Sequence, residues 1–167
     1  MVTAEKLVET LKLARHPEGG YFRETYRSHV IIDAASLAIG FEGERSVCTS
    51  IYFLLPYGDC SALHRIKSDE IWHYHMGASL SIYVFDKGRL NIYKLGPNLE
   101  AGENLQIVVP ANAWFGAICR MENSFTLCSC IVSPGFDFND FELAQRKHIL
   151  LDHPEYEQEI VMLTRPD

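Results

Sequence analysis

From Tyr21 to Val132 the chain alternates apolar and polar residues in short runs, and clusters of turn-forming residues interrupt each run. Pro56-Tyr57-Gly58-Asp59, Lys67-Ser68-Asp69, Asp86-Lys87-Gly88 and Pro110-Ala111-Asn112 are the clearest breaks. A period of two turns one face of each segment inward, and Gly, Pro, Asn and Asp supply the turn conformations. The pattern predicts strands at Tyr21 to Tyr26, Val47 to Leu55, Ala62 to Ile66, Glu70 to His75, Leu80 to Phe85, Leu90 to Leu95, Leu105 to Val109, Phe115 to Ile118 and Phe125 to Val132. No helical period lies between them, so the expected class is all-β, a sandwich or barrel.

Helical spacing is confined to the ends. Thr3 is placed to cap a helix carrying Leu7, Val8, Leu11 and Ala14, which ends before His16-Pro17. Phe141 to Leu151 and Pro154 to Leu163 have helical spacing, and Asp152, three residues before Glu155, marks the start of the last segment. The expected organisation is a single domain over 1–167, with an N-terminal helix in 1–15, a β-barrel core in 20–133 and a C-terminal extension in 134–167.

Fifteen Lys and Arg against 22 Asp and Glu give a net charge of −7, which repels phosphate backbones and anionic lipid. Nucleic-acid and membrane partners are therefore not expected. The longest apolar stretches, Ile51 to Leu55 and Ile107 to Val109, are far shorter than the ~20 residues a membrane helix needs. The first residues lack the basic-then-apolar order of a signal peptide, so a cytoplasmic location is expected. Five cysteines cannot all pair, and reduced thiols are expected. Cys128 and Cys130 fall on one strand face and read as buried thiols.

The stretch from Gly58 to Gly77 is rich in residues that carry chemistry. His64 reads either as a hydrogen-bonded core histidine or as a general base, with Glu70 on a neighbouring strand as its orienting carboxylate. Alternation puts Trp72 and Tyr74 on the face of Glu70, as pocket lining or aromatic core. His73 and His75 share the opposite face unless a β-bulge intervenes, in which case His75 joins His64 and Glu70 as three ligands of a divalent metal with an open position. Without the bulge no metal cofactor is expected. The tight turn Glu18-Gly19-Gly20 leads into a strand carrying Tyr21, Arg23 and Glu24; Glu18 of the turn and Tyr21 and Arg23 of the strand are candidate ligand contacts, Arg23 for an anion or as a surface residue. Trp114 and Phe115 add apolar pocket wall. Asp137 and Asp140 read as acids near the barrel end or as capping residues.

Gly58, five residues, His64, one, Ile66, three, Glu70, six, Gly77 resembles the first motif of the cupin superfamily, with Ile66 at the second histidine. Gly102 and Pro110 resemble the second motif, with Asn112 for the usual glycine and Phe115 for the last metal-binding histidine. Of the three histidines and one glutamate of a cupin metal site, the chain keeps His64 and Glu70. His16 to Glu24 and Ser133 to Phe138 are similar to cupin family 5, over nearly the whole chain. A weaker similarity links Gly20-x-Phe22-x-Glu24 and Pro110 to Gly116 to the metal-free dTDP-keto-sugar epimerases. Their base corresponds to His64, and their lysine falls at Glu70, which takes away the positive charge an enolate needs.

The resemblance implies a double-stranded β-helix of the jelly-roll cupin type, forming a homodimer and holding a small polar or sugar-derived molecule. The activity it implies is metal-independent proton transfer of the epimerase or isomerase kind, with His64 and Glu70 catalytic. Two alternatives stay open: a non-catalytic small-molecule-binding cupin, and a metal-dependent oxygenase or isomerase using His64, Glu70 and His75.

Overall fold

The computed structural model describes residues 2–37 and 40–166. The strands in chain order are β1 (Ala14–Arg15), β2 (Tyr21–Arg27), β3 (Ile31–Ile32), β4 (Arg45–Ser46), β5 (Thr49–Pro56), β6 (Cys60–Arg65), β7 (Asp69–Gly77), β8 (Leu80–Asp86), β9 (Arg89–Leu95), β10 (Gln106–Val109), β11 (Trp114–Cys119), β12 (Phe125–Ser133) and β13 (Glu142–Leu143). The helices are α1 (Ala4–Leu11), α2 (Arg146–Asp152) and α3 (Glu157–Leu163). One sheet has the order β1-β2-β5-β12-β7-β10, a second the order β13-β6-β11-β8-β9, and β3 pairs with β4. All paired strands are antiparallel, and the two large sheets form the all-β sandwich that the alternating pattern predicts and the jelly roll that the resemblance implies.

The core lies between the sheets. Phe53, Leu55, Trp72, Ile82, Val84, Phe115, Cys128 and Cys130 meet there. Both outer faces are also covered in part. Leu54 and Leu127 pack under Leu7 of α1, while Leu63, Tyr83 and Phe85 pack under Ile149, Ile160 and Leu163 of the C-terminal helices. Strands covered on both faces need apolar side chains at odd and even positions alike, which explains the unbroken run Phe53-Leu54-Leu55.

Each of the nine predicted strands is present, with shifts at the edges. The strand predicted from Val47 to Leu55 is β5, which starts two residues later at Thr49, because Val47 and Cys48 form the link from the short β4. The first helix closes earlier than its apolar spacing suggests. Thr3 Oγ1 accepts from the Lys6 amide (3.3 Å), but Lys12 turns left-handed at φ 53°, and Ala14–Arg15 leaves the helix to pair with β2. The segment predicted helical from Phe141 begins as β13, which pairs with β6, and becomes helix at Arg146. Asp152 ends α2 and caps nothing; a 3-10 turn at Pro154–Tyr156 leads into α3.

Candidate functional site

A cavity of about 290 Å³ opens between the sheets. Its floor comes from side chains that β5, β7 and β12 turn inward: Ile51 and Phe53, Glu70 and Trp72, Cys130 and Val132. Cross-strand register puts them side by side, with Cys130 opposite both Ile51 and Trp72 and Val132 opposite Glu70. His64 and Ile66 face them from β6 and the turn after it. Glu18 enters from the turn before β2.

That turn is fastened at several points. Gly20 N donates to Asp59 Oδ2 (3.2 Å), and Ala62 N donates to the Glu18 carbonyl (2.9 Å). Gly19 has φ +117°, and a Cβ there would overlap the Cys60 carbonyl oxygen, so only glycine lets the backbone approach β6 this closely. The Glu18 side chain is thereby brought to His64. Glu18 Oε2 lies 3.2 Å from His64 Nε2 and 3.3 Å from His16 Nδ1, and Oε1 accepts from Ser61 Oγ (2.7 Å). The carboxylate beside His64 is Glu18, not the predicted Glu70.

His64 Nδ1 is 2.8 Å from the Ala62 carbonyl oxygen. A carbonyl only accepts, so Nδ1 carries a proton. Nε2 then faces a carboxylate oxygen, and a hydrogen bond between them requires one shared proton. Burial lowers the imidazole below its ordinary value, although the Glu18 charge pulls it up. Burial would raise Glu18, but the charges of His64 and His16 and the Ser61 hydroxyl hold it below its ordinary value. Both directions favour the pair without its extra proton. Such a pair is suited to accepting and returning a proton.

Glu70 is in the opposite condition. Burial, reinforced by the Glu18 charge, pushes its carboxyl up to about 8, against a hydrogen bond to Cys130. Burial also pushes the Cys130 thiol well above its ordinary value, so both groups are neutral at pH 7. Two carboxyls of one cavity therefore divide into an anion on the histidine side and an acid on the opposite side, a division that assigns base and acid in proton-transfer sites.

The mouth is crossed by the segment 136–138. Arg27 is the one Lys or Arg lining the cavity among the described residues. Its Nε and Nη2 donate to Glu24 (3.0 and 2.7 Å), and Nη1 and Nη2 donate to the Phe136 carbonyl (3.2 Å each). Arg45 grips Asp140 through two hydrogen bonds (2.7 and 2.8 Å), with Lys67 at 3.2 Å. Asp140 is thus a buried anchor of the segment. Asp137 lines the cavity, and its carboxylate accepts from Asn139 N (2.8 Å).

Of the predicted site residues, the cavity gathers Glu18, His64, Glu70 and Trp72. Phe115 lies one layer behind, its ring 4.1 Å from that of His64. Tyr21, Arg23, Tyr74 and Trp114 lie elsewhere. Phe22 pairs with the inward Phe53, so Phe22 and Glu24 line the cavity while Tyr21 packs toward α1 and Arg23 lies over Tyr52. Trp114 joins the cluster under the C-terminal helices, with Arg65 over its ring. Tyr74 packs against the core, and its hydroxyl donates to the Gly77 carbonyl. His16 and Cys130 were not among the predicted contacts. The period-two partner of Cys128 pointed to Cys130, whereas nothing local to His16-Pro17 marks an inward histidine.

The bulge that would recruit His75 does occur, since Leu127 pairs with Met76 and Cys128 with Tyr74. His75 is nonetheless exposed, its ring 5.9 Å from that of Tyr52, and outside the cavity. Ile66 lines the cavity where a second histidine ligand would stand, and buried Phe115 occupies the position of the last. With His64 committed to Ala62 and Glu18, the donors present do not fit a cupin metal centre. Among the described residues, no group of three or more His, Cys, Asp or Glu side chains is arranged to hold a metal ion.

Residues 5–144 match the family model described as Cupin superfamily (DUF985). The chain belongs to this cupin family. The Saccharomyces cerevisiae protein YML079W, described as uncharacterized, is 31% identical over 146 residues, 81% of this chain and 72% of its own length. The crystal structure of protein SO0799 from Shewanella oneidensis is 38% identical, covers all of both chains and superposes with a TM-score of 0.89. A hypothetical protein from Leishmania major is 34% identical over 98% of this cupin and 99% of its own chain, with a TM-score of 0.86.

Proposed function

We propose that this cupin is an enzyme that moves a proton on a small polar, sugar-like molecule without a metal, as an epimerase or isomerase does. The observation that carries the reading is the placing of Glu18 and His64, 3.2 Å apart, and of Glu70, which burial keeps protonated, in one cavity. The pair, freed of its proton, takes one from the carbon beside a carbonyl. The C–H electron pair becomes a carbon–carbon double bond, and the carbonyl π pair moves to oxygen, where the Glu70 acid donates. Return of the proton to the same carbon after the intermediate has turned over inverts the centre, the enol proton passing back to Glu70; return to the neighbouring carbon moves the carbonyl, the hydroxyl proton of the first carbon passing to the Glu70 carboxylate.

The test is proton exchange in heavy water. A panel of small hydroxy ketones and hydroxy aldehydes is incubated with the protein, and loss of the exchangeable C–H signal is followed by NMR. The native protein exchanges at least one member, and His64→Gln slows that exchange by about a hundredfold or more. A compound that raises the melting temperature but never exchanges would instead identify a binding module, the reading favoured by the aromatic side chains around the cavity. We also propose a homodimer, supported by the sheet-edge positions of β9 and β10, with Ile92, Tyr93 and Val108 exposed there. Light scattering at micromolar concentration that returns the monomer mass would overturn it.

A further inference from the structure

Trp72 is 1% exposed, and its indole nitrogen is buried with no hydrogen-bond partner. Buried N–H groups are nearly always satisfied, and leaving one unpaired costs about 1–3 kcal/mol. Trp72 also lines the cavity, two residues from Glu70 on the inward face of β7. The same wall therefore holds an indole N–H without an acceptor and a buried carboxyl group. The sulfur of Cys130, opposite Trp72 in register, is the Glu70 side chain's partner.

Among the described residues, the cavity lining offers negative charge no unpaired Lys or Arg. Arg27 is occupied by Glu24 and the Phe136 carbonyl, and Glu18, Glu24 and Asp137 all line the space. A phosphate or carboxylate entering it would meet carboxylates and no free cation. An uncharged oxygen acceptor is the partner that the Trp72 wall lacks.

We propose that the ligand is a small uncharged carbonyl compound whose oxygen is held by Trp72 Nε1–H together with the Glu70 carboxyl. This rests on the proton-transfer reading of the site and names its substrate class and a further contact. The pair of donors takes the place of a lysine: as charge builds on the carbonyl oxygen, two hydrogen bonds stabilise it. Nucleotide-linked and phosphorylated sugars are excluded by the carboxylates around the space, even though their carbonyl groups are similar.

The protein has two tryptophans, so protein labelled with 15N at the indole nitrogens gives two N–H signals. Trp114 lies outside the cavity, and Trp114→Phe leaves the Trp72 signal alone; Trp72→Phe assigns the same signal by its loss. Dihydroxyacetone and glyceraldehyde are the uncharged probes, with their phosphate esters as charged counterparts. The expected result is a downfield shift of the Trp72 signal that saturates with an uncharged probe, no shift of Trp114, and at least tenfold weaker binding of the matching ester. Equal or tighter binding of the esters overturns the proposal, as does saturating binding or C–H exchange with the Trp72 signal unmoved. Exchange without a Trp72 shift leaves the proton-transfer reading standing while this inference falls. A Trp72 shift without exchange keeps the carbonyl pocket and removes the chemistry.

Discussion

Glu70 is buried beside the charge of Glu18 and retains its proton to about pH 8. A carboxyl whose folded pKa is raised from 4.5 contributes its full stability below that value and loses it as pH climbs to 8, because the folded chain must then bury a charge that the unfolded chain solvates. The loss is on the order of a few kcal/mol. Glu18 runs the other way: its lowered carboxyl contributes stability above its ordinary value of 4.5, and that contribution fades as acid protonates it. Urea unfolding of native protein and Glu70→Gln at pH 5.5 and 8.5 checks the first effect. The native midpoint should fall at the higher pH while that of Glu70→Gln holds, and parallel midpoints would show that Glu70 is already ionised at pH 5.5. The spacing of His64 and Glu70 marked both residues, yet it assigned Glu70 the task that Glu18 performs. Glu18 reaches His64 through a folded-back turn, and such proximity is not a matter of periodicity.

Elements follow the same division between pattern and pairing. Alternation locates each predicted strand, since any half-buried strand must repeat every second residue. It does not say which half faces inward on β2, where the register against β5 turns Phe22 and Glu24 in and Tyr21 and Arg23 out. Two-residue strands such as β1 and β13 have no period to detect and exist through their partners. The Gly19 turn is the element on which the site depends. Gly19→Ala should destabilise the chain by about 2 kcal/mol or more, through the left-handed φ and the clash with Cys60, and should weaken the Glu18–His64 contact. Calorimetry and the histidine ring signals in NMR report both effects; an unchanged melting temperature would mean that the turn can move away from β6. Ile160 on α3 is fully buried under the second sheet and is not part of the cavity lining. Ile160→Ala is expected to cost roughly 2–5 kcal/mol while leaving exchange activity per folded molecule intact. Lost activity in the folded variant would tie the helix to the site.

The net charge of −7 and the carboxylates lining the cavity act together on any approaching ligand. Electrostatic repulsion of this kind reaches about 10 Å at 0.1 M salt and shortens to about 3 Å at 1 M. An uncharged hydroxy ketone feels neither limit, whereas its phosphate ester is repelled over the whole approach and again inside. Raising the salt should therefore leave the affinity for dihydroxyacetone nearly constant and strengthen the weak affinity for its phosphate, so that the gap between them narrows. Removing the fixed cation should widen it: Arg27→Gln leaves Glu24 unpaired at the mouth and frees the Phe136 carbonyl, adding one net negative charge where the ester must pass. Titrations at 0.02 and 0.5 M salt with native protein and Arg27→Gln decide the matter. An ester that binds better at low salt, and loses that advantage in Arg27→Gln, would mean that Arg27 releases Glu24 to take the phosphate, and that the site admits anions by breaking its own ion pair.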